Sequence, residues 1–88
     1  MTTKPAPAVE QSAADTKEKL AYESVALVKT VEPNDRSRLG YHVWRWLASG
    51  DGTLEQVVRE SGARLTMPAE LAVKSIREYL SSKGVSAP

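Results

Sequence analysis

Thr53, Arg64, Thr66, Lys74 and Arg77 are the side chains whose chemistry and spacing suit a charged, extended ligand. Lys74 and Arg77 are three apart, so a helix carries them on one face, where they can contact phosphate or a guanine edge. Arg64 and Thr66 precede that segment, and Thr53 stands at another helix start. Hydroxyls, guanidinium groups and free backbone N–H groups in such places hold phosphates. The same face also carries Glu70 and Glu78. Glu70–Lys74 and Lys74–Glu78 are i,i+4 pairs, an alternation typical of a solvated or protein-binding helix face. DNA contact and protein contact both stay open on these residues.

Catalytic groups are scarce. There is no cysteine, and the single histidine, His42, has no acidic neighbour in sequence. Asp51 and Glu55 are four apart across a helix start, which is cap chemistry rather than a carboxylate dyad. A metal site needs three or four convergent ligands, and scattered carboxylates around one histidine do not supply them. The turn Gly50-Asp51-Gly52-Thr53 lacks the spacing and the lysine of a phosphate loop. A non-enzymatic protein with no metal, no cofactor and no small-molecule substrate is expected.

Eighty-eight residues make one domain at most. A chain of this size buries little surface and has neither a disulfide nor a metal as a staple, so a helical core or a partner must stabilise it. The lack of cysteine and of a secretory signal points to a cytoplasmic protein. No apolar run is long enough to span a membrane. The net charge is +1, and up to Asn34 there are four lysines against five acidic residues. From Asp35 onward eight Lys/Arg face six acidic residues, which permits phosphate contact without demanding it.

The elements that must position these groups read as helices. Residues 1–14, rich in Pro, Ala, Thr and Ser, are expected to form a disordered tail. Asp15 and Glu18 resemble a capping box, and Leu20, Ser24, Leu27, Val28 and Val31 follow at helical spacing. That spacing predicts a helix over 16–31, although Val25, Leu27 and Val31 also alternate as in a strand. A second helix over 36–49, capped by Asn34 or Asp35, presents Leu39, Val43, Trp46 and Leu47, with Gly40 at a close helix crossing. Thr53 and Gln56 form a capping box for a helix over 54–61, ended by Gly62. Pro68 opens the last helix, 68–83, with Leu71, Ala72, Ile76, Tyr79 and Leu80 inward. Gly84 closes it, and Val85 is placed to pack back.

The expected class is therefore an all-α domain of three or four helices. The short helix, the glycine-containing turn and the longer helix over 38–84 resemble a helix-turn-helix domain of the wingless winged-helix kind. That resemblance implies a DNA-binding regulatory protein, acting as a dimer, with Thr53, Arg64, Thr66, Lys74 and Arg77 as contacts. The turn over 63–67 is longer than in the strict motif, and no wing is expected after Gly84. The alternative is a protein-binding adaptor, subunit or inhibitor on the same scaffold. Its interface would comprise Leu20, Leu27 and Val28 with Trp44, an indole that serves either the core or a partner. The run Ala48-Ser49-Gly50-Asp51-Gly52-Thr53-Leu54-Glu55-Gln56-Val57-Val58 also resembles the peptide-binding recognition module of the pyrroloquinoline-quinone peptide chaperone family. That resemblance implies a docked leader peptide and a strand over 22–31.

Overall fold

The computed structural model describes residues 5–85, with side chains from residue 16 onward. Four α-helices follow one another: α1 (Pro5–Ala26), α2 (Arg36–Ser49), α3 (Leu54–Glu60) and α4 (Ala69–Ser82). A single 3-10 turn, Pro33–Asp35, precedes α2. The all-α class expected from the sequence is what forms. Residues 1–4 of the expected tail lie outside the described residues, and of its remainder only the backbone path is described. Asp15 is in the middle of α1 rather than at its cap, because the helix begins at Pro5.

Helix α1 stops at Ala26, five residues before the expected end. Leu27 N–H still bonds Glu23 O at 2.8 Å, but Lys29 takes φ = 52°, and a left-handed residue cannot continue a right-handed helix. The chain leaves extended. Val31 forms one antiparallel bridge with Leu65. Glu32 N donates to Arg64 O at 2.8 Å and Thr66 N to Thr30 O at 3.0 Å. The connector between α3 and α4 is thereby tied to the segment between α1 and α2. Tyr22 to Ala26 is helical, so the strand that the peptide-module resemblance implies over 22–31 shrinks to this bridge.

Helix α2 ends on Gly50, whose φ of 74° lets its N–H reach Trp46 O. Thr53 and Gln56 form the expected capping box: Gln56 N donates to Thr53 Oγ1 at 3.2 Å and Thr53 N to Gln56 Oε1 at 2.9 Å. Helix α4 closes with Val85 N donating to Leu80 O at 3.0 Å, and Val85 packs against the core as expected.

The helices enclose one apolar cluster. Leu20, Ala21 and Val25 come from α1; Leu39, Val43, Trp46 and Leu47 from α2; Leu54 and Val58 from α3; Val73, Ile76 and Leu80 from α4. Gly40 is buried where α1 crosses α2, and a Cβ there would meet the Tyr22 ring, with Cε1 at 2.9 Å. The close crossing expected at Gly40 is present.

Three further sequence assignments change. Leu20, expected at a partner interface, is a core residue, because α1 turns that side onto α2. Leu71, expected inward, is 50% exposed. At about 100° per residue it falls nearly opposite the Ala72–Ile76–Leu80 row, and Val73 takes the inward place instead. Asp35 makes no cap hydrogen bond to α2, because its carboxylate reaches across to Arg64.

Candidate functional site

The region expected to contact a ligand runs from Thr53 through the connector to α4. Four of its five candidate side chains already have work inside the molecule. The Thr53 hydroxyl is spent on its capping box, which also satisfies the first donors of α3. Thr66 Oγ1 donates to Lys29 O at 2.6 Å. Arg64 donates twice to Asp35 Oδ2, from its backbone N at 2.9 Å and from Nε at 3.3 Å. Arg77 Nη2 lies 4.0 Å from Glu55 Oε1, a loose ion pair between α4 and α3. Lys74 is exposed and takes part in neither ion pair found among the described residues.

The Asp35–Arg64 link has a clear electrostatic signature. The backbone N–H of Arg64 holds the Asp35 carboxyl below its ordinary value of 3.8, burial works against this, and the guanidinium adds to the lowering. Asp35 is buried, whereas the Arg64 side chain is 71% exposed. The buried carboxylate therefore pins the connector, and Arg64 supplies the counter-charge from the surface. Between α4 and α1, Tyr79 Oη donates to Glu23 Oε1 at 3.2 Å. Burial first, then this carboxylate, raises the Tyr79 phenol above its usual range and keeps it a neutral donor.

Between α3 and α4 lies a groove of about 440 Å³. Val58, Leu65, Ala69 and Val73 form an apolar floor, and Glu55, Arg59 and Glu70 stand on the rim. The capping box sets where α3 starts, and the Val31–Leu65 bridge sets the depth of Leu65. Pro68, at φ = −56° and ψ = 145°, stands immediately before α4, and the first residue of that helix, Ala69, lines the groove. Sequence reasoning missed this feature. The signal available was the alternation Arg64-Leu65-Thr66, which sends Leu65 inward between two polar neighbours.

The remaining partner-interface candidates separate. Leu27 is 63% exposed. Val28 and Trp44 are half-buried against the core cluster. Trp46 is the buried indole, its Nε1 donating to Gly52 O at 3.1 Å, which resolves the pair in favour of Trp46 as the core anchor. On the exposed face of α2, Arg45 Nη1 donates to Tyr41 Oη at 3.0 Å, and its guanidinium sits 5.8 Å from that ring's centre.

Among the described residues no group of three His, Asp or Glu side chains is placed to hold a metal ion. No helix among them is long and apolar enough to cross a membrane. No protein-family model, no curated protein and no solved structure matches the chain.

Proposed function

We propose that this chain is a non-enzymatic protein-binding module, an adaptor or subunit, whose groove between α3 and α4 takes an apolar, basic-flanked segment of a partner protein. The carrying observation is the composition of that groove. Its floor is Val58, Leu65, Ala69 and Val73, and its lining charges are two carboxylates, Glu55 and Glu70, against one cation, Arg59; the exposed 4.0 Å pair of Glu55 with Arg77 is too loose to cancel that bias. Apolar floors with a few convergent polar groups are the usual form of a binding pocket. A phosphate backbone is poorly served here, because the carboxylates repel it. A leucine or isoleucine beside lysine or arginine suits both floor and rim. The near-neutral net charge of +1 agrees with a protein partner more than with DNA, and the absence of cysteine agrees with a cytoplasmic place of action.

Display of random peptides against the chain tests this reading. Enrichment of aliphatic residues next to Lys or Arg is expected. Ala69→Trp should fill the groove and remove binding, and Glu55→Lys with Glu70→Lys should shift the preference to acidic flanks. No enrichment, or enriched peptides indifferent to Ala69→Trp, overturns it.

The second reading is a DNA-binding regulator of helix-turn-helix type, favoured by the order α3, connector, α4 and by exposed Lys74 and Arg77 on α4. Titration with duplex DNA at about 50 mM salt separates the two, because even non-specific binders show affinity there. The protein-binding reading expects a flat signal. A salt-sensitive rise that vanishes in Lys74→Glu with Arg77→Glu would support the DNA reading instead.

A further inference from the structure

Two links fix how α1 lies on α4. Tyr79 Oη reaches Glu23 at 3.2 Å, and Thr66 Oγ1, just before α4, reaches Lys29 O, just after α1. The helices are therefore antiparallel, with the end of α1 beside the start of α4. Leu27 lies one turn past Glu23, and Leu71 about two turns before Tyr79, so both fall along the seam between the two links. Leu27 is 63% and Leu71 50% exposed. Half-buried Met67 sits in the connector between Thr66 and α4. Leu27, Tyr41 and Leu71 are the large apolar side chains exposed among the described residues, and two of these three share this seam.

We propose that the seam docks a second copy of the chain, with the two α4 helices antiparallel across a two-fold axis at Leu71. The charges on either side of Leu71 select this occupant. Toward the C-terminus Glu78 lies seven residues on, about 10 Å along the helix and about 20° from Leu71 in azimuth, whereas exposed Lys74 between them is turned about 60° away. Toward the N-terminus Thr66, five residues back, holds the backbone of Lys29. Both Lys29 and Glu78 are exposed, and neither is in an ion pair found among the described residues. A two-fold axis at Leu71 exchanges the two ends, so the Lys29 end of each copy meets the Glu78 end of the other. Isologous interfaces need this self-complementarity, with opposite charges on either side of an apolar centre. An unrelated partner would not require it. Pairing of copies also supplies stabilisation to a small chain with no cysteine for a disulfide.

Sedimentation equilibrium of the full chain from about 1 to 500 µM tests the proposal, since a patch this small implies weak association. The average mass should climb from 9.6 kDa toward twice that value. Lys29→Glu should weaken association about tenfold or more, and Lys29→Glu combined with Glu78→Lys should restore it. Leu71→Asp should leave a monomer with unchanged helical circular dichroism, because Leu71 is outside the core cluster. A monomer at every concentration overturns the proposal. So does a dimer indifferent to Leu71→Asp, or a reversed charge pair that fails to restore association.

Discussion

The two sides of α4 meet different neighbours and are finished differently. Toward α3 the helix presents Ala69, Glu70 and Val73 to a groove with an apolar floor and a mostly acidic rim. Toward α1 it is sealed at Tyr79–Glu23 and Thr66–Lys29, and Leu27 and Leu71 stay outside the seal. One side is concave and charge-biased, which suits a ligand of opposite bias. The other carries exposed leucines with Lys29 and Glu78 beyond them, which suits a second copy of the chain turned about a two-fold axis. A single fourteen-residue helix thus separates two surfaces of different kind, with Ala72, Ile76 and Leu80 as the buried row between them.

The strongest way to break the comparison is to remove that row. Ile76 is fully buried, and Ile76→Ala should cost about 2–5 kcal/mol of stability. Peptide binding and self-association should then fail together, and chemical denaturation measures the loss. Gly40→Ala is more selective. Alanine in mid-helix gains about 1 kcal/mol in propensity, while forcing a methyl into the Tyr22 ring costs about 1–3 kcal/mol, so a net loss is expected. Because the clash displaces α1, self-association should weaken more than groove binding.

Acid should loosen the connector next. The Asp35 carboxyl is depressed in the folded protein, so its contribution is complete above about pH 4 and is lost as pH falls through the folded value. Thermal melts at descending pH should show this fall, and Asp35→Asn should flatten it relative to the parent chain. The smallest expected effect is that of Thr53→Ala, which removes the cap of α3 and should cost about 1 kcal/mol. It bears on the groove side alone, so peptide affinity should drop while the dimer persists.

Local punctuation was legible in the sequence, and long-range ties were not. The Thr53–Gln56 capping box and the return of Val85 each depend on residues within five positions, and each formed as expected. The end of α1 was misplaced, because Lys29 turns left-handed to serve a bridge with residues in another connector. The neighbours of Asp35 suggest a helix cap, whereas its partner lies 29 residues away. Lysine, arginine and threonine at 53–77 were visible as polar groups, but whether they were free was not. Arg64 and Thr66 are held by contacts that their spacing does not encode. Leu71 fitted the helical stripe by type and missed it by phase.

If the two sides of α4 are separate interaction surfaces, each can be filled without emptying the other. The most direct measurement is the sedimentation mass of the chain at dimer-forming concentration, saturated with a groove-binding peptide selected by display. A dimer carrying two peptides is predicted. A peptide that splits the dimer into loaded monomers would contradict the account, because both ligands would then be competing for one surface.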